Sequence, residues 1–348
     1  MEFGFCYLSD YHAAVHGSFS DWYARLMREW RLIDALQFDA IWIAEHRYPG
    51  YGFSSTAVVA QAIASATAYV RIGTAVALLS QRHPILIAED WAAVDVLSGG
   101  RLRFGIGRGI YSYDFDVLGI PSGESRERFE EAWDVVRRLW TEEEVTHAGK
   151  HWAFNGHRLG PRPIQSPHPP VFVGCVATPE SYVWAGRSGY NIIVAPFLLD
   201  STTRQAAYLG QYRAELERAG HDPARFQVIA NYHLAVASGE AQLAGADRYF
   251  HNYLEFLHRT SNPRALDKDG YSAYGRGGGL YSDIEEMRQE RTVMGTPQQC
   301  IDKIGDLSRA CGLTGWMFHI NYGGVPEERV IEQLHALKTQ VVPAFSDA

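Results

Sequence analysis

Residues 99–120 read GGRLRFGIGRGIYSYDFDVLGI, a stretch in which a short apolar run leads directly to one cation between two glycines. The run 102–106 predicts a buried strand, and Arg108 follows it with Gly107 and Gly109 on either side. Glycine allows a ligand to approach the backbone closely, and a guanidinium binds anions in a fixed geometry. The pattern is therefore typical of a strand that ends in an anion site. It is equally typical of a surface arginine that closes a turn, so the choice depends on the rest of the chain.

The alternation of strand and helix extends outward from this stretch along the whole sequence. Apolar runs typical of parallel strands, whose two faces are both covered, lie at residues 3–8, 40–46, 71–78, 102–106, 170–177, 190–197, 226–237 and 315–320. A segment with helical spacing or a helix-start signal follows each run. Right-handed crossovers of this kind give a closed barrel or an open doubly wound sheet, and no G-x-G-x-x-G follows the first strand. The sequence therefore predicts an α/β fold, a (β/α)8 TIM barrel.

We expect one domain over residues 1–348, interrupted in two places. Residues 142–170 break the alternation and predict a hairpin followed by the proline-dense segment PRPIQSPHPP. Residues 260–291 are polar and rich in glycine, and they are too long for an ordinary connection. They predict a long mobile loop before the last helix-strand-helix unit.

Composition excludes several classes of function. The net charge of −8 argues against a nucleic-acid partner, which needs a basic face. No window approaches the roughly 20 consecutive apolar residues of a membrane helix. The N-terminus lacks the features of a signal peptide, which predicts a cytoplasmic protein. The cysteines have no C-x-x-C or metal-ligand spacing, so we expect buried free thiols and no metal site.

In a TIM barrel the residues at the carboxyl ends of the strands line the active site. On this chain those positions are Glu45 and His46, Ala75 and Val76, Gly107 and Arg108, residues 175–180, Pro196, His233, and residues 319–322.

Several of these segments resemble the bacterial luciferase-like flavin monooxygenases, in places the luciferase alpha subunit. The resemblance is carried by WIAEH (42–46), RIGTAVALLSQRHPILIAEDWAAVDVLSGGRLRFGIGRG (71–109), YDFDVLGIP (113–121), PHPPVFVG (167–174), ATPES (177–181) and GTPQQCIDKI (295–304). It implies a barrel that binds reduced FMN, forms a flavin C4a-hydroperoxide with O2 and oxygenates a small hydrophobic or carbonyl-bearing substrate. A separate flavin reductase would supply FMNH2, because no nicotinamide-binding segment is visible.

The resemblance also implies which residues bind the FMN phosphate. Arg108 matches the family arginine that contacts this phosphate. Glu180 and Ser181 match a pair at the start of a helix whose backbone N–H groups cradle it. A second arginine belongs on the helix after the loop, where either Arg126 or Arg128 could supply it.

The expected catalytic residues are His46 and its neighbour Glu45. His46 matches a histidine needed for activity in the luciferases, and an imidazole can exchange a proton with a peroxy intermediate near neutral pH. Arg47 stands where the luciferases have a second histidine, a departure that argues against light emission and an aldehyde substrate.

Three further positions follow from the resemblance. Gly107 stands where the luciferases carry a reactive cysteine, which we expect to leave more room beside the flavin. Ala75 and Val76 match a site where the family can hold a non-proline cis peptide against the flavin ring. Residues 260–291 fall where the luciferase alpha subunit has a mobile loop, whose closure would shield the reaction from water.

Three alternatives stay open from the sequence: a deazaflavin-dependent hydride-transfer enzyme on the same barrel, a flavin-binding protein without turnover, and a glycosidase that uses Glu45. The last would need a second carboxylate within roughly 5 to 10 Å. Because barrels of the resembled family commonly pair through early helices, we expect a homodimer.

Overall fold

The computed structural model describes residues 1–8, 10–47, 50–196, 199, 202–260 and 291–346. In these ranges the strands are β1 (Glu2–Tyr7), β2 (Ala40–Ile43), β3 (Arg71–Thr74), β4 (Ala77–Leu78), β5 (Leu102–Gly107), β6 (Val145–Ala148), β7 (Ala153–His157), β8 (Val171–Cys175), β9 (Asn191–Val194), β10 (Val228–Val236), β11 (Thr292–Gly295) and β12 (Gly315–His319). The α-helices are α1 (Ala13–His16), α2 (Phe19–Ala35), α3 (Thr56–Ala66), α4 (Pro84–Leu97), α5 (Ser112–Asp116), α6 (Ser125–Thr141), α7 (Pro179–Ser188), α8 (Thr202–Arg218), α9 (Glu240–Thr260), α10 (Pro297–Cys311) and α11 (Glu327–Ala336).

Eight parallel strands close into a barrel in the order β1, β2, β3, β5, β8, β9, β10 and β12. The ring is completed by β12, which pairs with β10 on one side and with β1 on the other, where Phe3 lies opposite Trp316. Each of the eight strands overlaps one of the predicted apolar runs and extends beyond it by no more than one residue. The (β/α)8 barrel is therefore confirmed.

The helices cover the outside of the barrel because each carries an apolar stripe that needs burial. In α6 this stripe is Phe129, Trp133, Val136 and Trp140, which the helical spacing predicts and which is buried. Inside the barrel a separate layer of side chains consists of Cys6, Ala40, Trp42, Phe172, Ile193, Ile229 and Met317. The interior is thus a packed core and not a channel.

Local signals fix where α10 begins. Thr296 Oγ1 accepts a hydrogen bond from the Gln299 N–H at 3.3 Å, and Gln299 Oε1 accepts one from the Thr296 N–H at 2.8 Å. This reciprocal capping box lies at the start of α10, with Pro297 in the first turn. The predicted start of the helix at Thr296 and Pro297 is therefore confirmed.

Of the two predicted interruptions of the barrel, the structure describes the hairpin and only the ends of the long loop. β6 and β7 form the antiparallel hairpin expected within 142–170. The predicted mobile loop lies outside the described residues, except for its end positions 260 and 291. Directly after it, β11 pairs in parallel with the carboxyl end of β10, a strand that sequence reasoning missed.

Two further observations bear on the function classes. Cys6, Cys175, Cys300 and Cys311 are buried, as predicted. Within the described ranges, none of the helices is both long and apolar enough to cross a membrane.

Candidate active site

A cleft opens at the carboxyl ends of the barrel strands. Its walls come from the ends of β2, β5, β8 and β9 and from the first turns of α6 and α7. TIM-barrel enzymes place their active sites at this end of the fold. Most of the lining is apolar, as in sites that bind organic cofactors and substrates.

Of the ten residues predicted for the site, eight line this cleft. They are Glu45, His46, Ala75, Val76, Gly107, Arg108, Arg126 and Ser181. The other two, Glu180 and Arg128, do not contribute to its lining. The side chain of Glu180 is exposed on the first turn of α7.

The choice between Arg126 and Arg128 is decided by the geometry of α6. Residues two apart on a helix point to nearly opposite sides, so only one of the two can face the cleft. Arg126 lines it, whereas Arg128 donates to Glu124 Oε2 at 2.9 Å and lies 5.6 Å over the ring of Trp152. Arg126 is therefore the arginine of this helix that can reach a ligand.

Two cations and two hydroxyls line the cleft as candidates for anion binding. Arg108 is fixed at the end of β5, where its carbonyl oxygen accepts a hydrogen bond from Ser80 Oγ at 2.5 Å. Thr178 and Ser181 add hydroxyls at the start of α7, with 3.1 Å between their oxygen atoms. Because the Ser181 N–H donates to the Thr178 carbonyl at 3.1 Å, the hydroxyl of Ser181, and not its amide, is offered to an anion. Guanidiniums and hydroxyls are donors suited to a phosphate group.

Val76 and two glycines form part of the cleft surface. The peptide bond between Ala75 and Val76 is cis. A Cβ added to Gly107 would lie 2.4 Å from Val76 Cγ2, and one added to Gly174 would lie 3.0 Å from Val76 Cγ1. The space beside Gly107 is therefore filled by Val76. The expectation that Gly107 leaves more room beside the flavin stays a prediction.

Glu45 lies at the end of β2 with both carboxylate oxygens engaged. Oε1 accepts from Arg47 Nη2 at 2.7 Å, and Oε2 accepts from the Leu78 N–H at 3.2 Å. Arg47 in turn donates from Nη1 to Gln81 Oε1 at 2.8 Å. The residue is only 4% exposed. This arrangement favours a role for Glu45 in holding the strand ends together over the predicted catalytic role.

His46 faces the cleft between two aromatic rings. Its ring centroid lies 4.7 Å from that of Tyr51 and 5.1 Å from that of Tyr111. Its Nδ1 lies 3.9 Å from Oδ2 of Asp114, and neither atom has a hydrogen-bond partner among the described residues. The other carboxylate oxygen, Asp114 Oδ1, accepts from the Arg47 N–H at 2.9 Å. His46 is thus the imidazole in the cleft that can exchange a proton with a ligand.

The sequence profile of the luciferase-like monooxygenase family matches residues 1–314. The chain belongs to this family.

Individual luciferase-like monooxygenases align with nearly the whole chain. It is 28% identical over 341 residues to the oxygenase component of the flavin-dependent trigonelline monooxygenase of Acinetobacter baylyi, covering 94% of this chain and 91% of the relative. It is 27% identical over 337 residues to the alkanal monooxygenase alpha chain of Photorhabdus laumondii, covering 93% and 92%. The crystal structure of the monooxygenase RslO1 from Streptomyces bottropensis superposes with a TM-score of 0.84 at 26% identity, covering 99% of this chain and all of the other. This luciferase-like protein is a flavin-dependent monooxygenase.

Sequence reasoning missed three functional candidates of this luciferase-like monooxygenase. Asp114 lies in the aromatic, acidic loop after Arg108, and its carboxylate is the signal that could have identified it. Tyr51 lies beside His46, and burial, with nearby Tyr111 acting in the same direction, raises its pKa well above 10. Asn231 is buried at the cleft, and its Oδ1 has no partner among the described residues. Buried polar atoms of this kind commonly bind a ligand or water.

Two strand-end histidines noted in the sequence lie behind the cleft wall. His319 Nδ1 and His233 Nε2 are 3.1 Å apart, and both residues are fully buried. Burial lowers the pKa of both rings, that of His319 to about 4, so both are neutral at physiological pH. In the described ranges, no group of three or more His, Cys, Asp or Glu side chains could hold a metal ion.

Proposed function

We propose that this luciferase-like monooxygenase binds reduced FMN in the cleft and uses it with O2 to oxygenate a small hydrophobic or carbonyl-bearing compound. The observation that carries the proposal is the donor set of Arg108, Arg126, Thr178 and Ser181, which lines the same cleft as His46. A phosphate on the cofactor would use these donors, whereas a flavin without a phosphate would leave them without a ligand.

The residues present fit FMN in shape as well as charge. Val76 is accommodated between Gly107 and Gly174, where added Cβ atoms would collide with it, so the strand ends present small apolar groups to the cleft. A planar ring system packs well on such a surface. The second turns of α6 and α7 pack together, with the rings of Phe129 and Trp184 5.4 Å apart, so the donors at the start of these two helices can hold one phosphate together.

The protein supplies position, exclusion of water and a proton acceptor. The reduced flavin, when bound, supplies the electrons that activate O2. His46 holds or moves a proton at its ring nitrogen, while the rings of Tyr51 and Tyr111 exclude water beside it. Glu45 and Arg47 fix the backbone on which His46 is carried.

Reduced flavin reaches the protein from a separate reductase in this proposal. The name of the Acinetobacter baylyi relative, an oxygenase component, supports this division of labour. Three carboxylates line the cleft, those of Glu45, Asp114 and Glu130. The glycosidase alternative loses support at Glu45, the residue it would use, because this carboxylate is ion-paired with Arg47. Deazaflavin-dependent hydride transfer and flavin binding without turnover remain outcomes of the tests.

The phosphate assignment is tested by titrating the wild-type protein, Arg108→Ala and Arg128→Ala with FMN, with riboflavin and with the deazaflavin. Loss of a charge-assisted contact in Arg108→Ala is expected to weaken FMN binding about 10- to 100-fold and leave riboflavin binding nearly unchanged. Arg128→Ala is the matched control, since Arg128 lies outside the cleft, and it should change neither affinity. Equal losses for FMN and riboflavin would contradict the phosphate assignment.

Turnover is tested by supplying FMNH2 from a reductase under 18O2 with a panel of hydrophobic and carbonyl-bearing compounds. Substrate-dependent incorporation of one labelled oxygen atom is the expected result. Tighter binding of the deazaflavin with hydride transfer and no oxygen uptake would replace the proposal by the first alternative. Flavin binding with no substrate-dependent oxygen uptake across the panel would favour the second alternative, a flavin-binding protein without turnover.

We also propose that the protein forms a homodimer through α3 and α4, and that it is cytoplasmic. The support for the dimer is the large exposed apolar residues on these two helices. Val58 is 68% exposed, Leu86 49% and Leu97 63%. A helix such as α4, with apolar residues on every side, is typically buried by a neighbour.

A further inference from the structure

We propose that Asp114 is a positioning residue that holds the His46 ring in one tautomer, with the proton on Nδ1 and the lone pair on Nε2 directed to the cleft. The effect of this pair on turnover rests on the function proposed above. The tautomer itself does not, because it belongs to the protein without its cofactor.

Two buried polar atoms face each other in this pair. His46 Nδ1 and Asp114 Oδ2 are 3.9 Å apart, and neither has a hydrogen-bond partner in the described part of the chain. The Asp114 side chain is 1% exposed and that of His46 15% exposed. Since Nδ1 is buried and faces Asp114, Nε2 is the ring nitrogen left for a ligand in the cleft that His46 lines. A small movement of the ring brings Nδ1 within hydrogen-bond distance, and such bonds are often long before a ligand binds.

The position of Asp114 is fixed from the other side. Its Oδ1 accepts the Arg47 N–H at 2.9 Å, and the Arg47 side chain is held by Glu45 and Gln81. The carboxylate therefore cannot turn away from His46. An ionised carboxylate only accepts hydrogen bonds, so the ring nitrogen that faces it must carry the proton.

The other charged groups beside His46 already pair with each other, which leaves Asp114 to pair with the ring. Glu45 and Arg47, on the same segment of chain, are ion-paired with each other at 2.7 Å. Tyr51, which packs on the ring, stays neutral because burial raises its pKa. Tyr111, from the start of α5, contributes the edge or face of a ring at 5.1 Å.

The consequence for chemistry is a defined proton acceptor. When Nε2 takes a proton from a group in the cleft, the ring becomes an imidazolium with both nitrogens protonated, and the Asp114 carboxylate stabilises its charge. When Nε2 returns the proton, the neutral Nδ1–H tautomer is restored. No other bond changes, and no proton is transferred to Asp114.

The first test is 15N NMR of the histidine side chains in the flavin-free protein, with the His46 signals identified by their loss in His46→Gln. The wild-type protein should show Nδ1 protonated. In Asp114→Asn the Arg47 N–H keeps the amide oxygen on its own side, so the amide NH2 faces His46 and donates to Nδ1. The proton of the ring is then expected on Nε2, as in catalytic triads where an amide replaces the carboxylate.

Asp116→Asn is the matched control, because Asp116 lies on the same short helix but is exposed, and it should leave the tautomer unchanged. An Nε2-protonated His46 in the wild-type protein would overturn the proposal. This first measurement needs no Asp114 variant, so it decides the matter even if Asp114→Asn does not fold.

The second test compares kcat in four proteins: wild type, Asp114→Asn, His46→Gln and the double variant. If Asp114 acts through His46, Asp114→Asn should lower kcat about 100-fold or more with unchanged FMN affinity, and it should have no further effect in His46→Gln. If Asp114→Asn lowered kcat equally in the wild-type protein and in His46→Gln, the positioning role would be overturned. Absence of turnover in the wild-type protein would contradict the proposed function but leave the NMR result intact.

Discussion

At the scale of single residues, Gly107 has no side chain, and Val76 occupies the space that a side chain there would need. A Cβ added there would lie 2.4 Å from Val76 Cγ2, a distance at which one of the two groups must shift. Val76 is branched at Cβ and has little freedom to move away. The glycine therefore supports the shape of the cleft surface by leaving room for Val76.

Gly107→Ala is expected to destabilise the protein by about 1–3 kcal/mol through overpacking and to weaken FMN binding by displacing Val76. The double change Gly107→Ala with Val76→Ala removes the colliding methyl group and should recover most of the lost stability. Denaturant unfolding and flavin titration measure the two effects. Gly123→Ala is the control, since a Cβ there meets nothing within 4 Å. If Gly107→Ala were as stable as the wild-type protein, the overpacking against Val76 would be contradicted.

The site could be predicted from the sequence only where one residue carries the signal. The sequence points to Arg108 because a cation between glycines follows a strand, and the residue lines the cleft. It does not point to Asp114, because the importance of this residue depends on His46 and on the Arg47 amide, which lie far away in the sequence. The catalytic role of Glu45 stays a prediction, and the Arg47 contact that favours a structural role becomes visible only in the fold.

At the scale of elements, one carboxylate joins α2 to the loop between α3 and β3. Asp34 accepts hydrogen bonds from the backbone N–H groups of Ala68, Tyr69 and Val70 at 2.7–2.9 Å. Burial raises the pKa of Asp34, but these three bonds and the nearby Arg101 outweigh it, so the net pKa is lowered. The loop leads directly into β3 and thereby determines where that strand enters the barrel.

Asp34→Asn is expected to lower the free energy of unfolding by about 1–3 kcal/mol at neutral pH, because a neutral amide oxygen replaces a charged acceptor. Since folding lowers the pKa of Asp34, its contribution is complete above the unfolded value of 3.8 and is lost as the pH falls below it. Denaturant unfolding at several pH values should therefore show a difference that narrows in acid.

Asp302→Asn provides the control for Asp34→Asn, because Asp302 is exposed on α10 and bonds only the neighbouring side chain of Gln298 at 2.8 Å in the described contacts. Its effect should stay within about 0.5 kcal/mol. A difference between Asp34→Asn and the wild-type protein that does not depend on pH would contradict the assigned role.

Elements were predictable where their sequence pattern is long. The barrel strands are buried on both faces and read as apolar runs, and the helices show the 3.6-residue spacing. β11 has only four residues, TVMG, and forms because β10 offers it a free edge. α5 has five residues and no side-chain cap, so no local signal marks it.

At the scale of the whole molecule, the apolar surface of α3 and α4 predicts the assembly. We expect sedimentation analysis to give twice the chain mass of 39.0 kDa for the wild-type protein. Val58→Glu with Leu97→Glu places charges on this surface and should give monomers with unchanged FMN affinity. Ile164→Glu, at a residue that is 57% exposed elsewhere, should leave the dimer intact. A wild-type mass of one chain would contradict the dimer.

Closure of the barrel by β1 and β12 has a consequence for biosynthesis. The first of these strands leaves the ribosome more than 300 residues before the second, and until β12 is made β1 has one unpaired edge. An exposed strand edge invites pairing with other chains, and contacts between such distant segments form slowly. We therefore expect the nascent chain to depend on chaperones late in synthesis. The proposed flavin site takes Leu8 from an early part of the chain and Met317 from a late part, so it is complete only after that step.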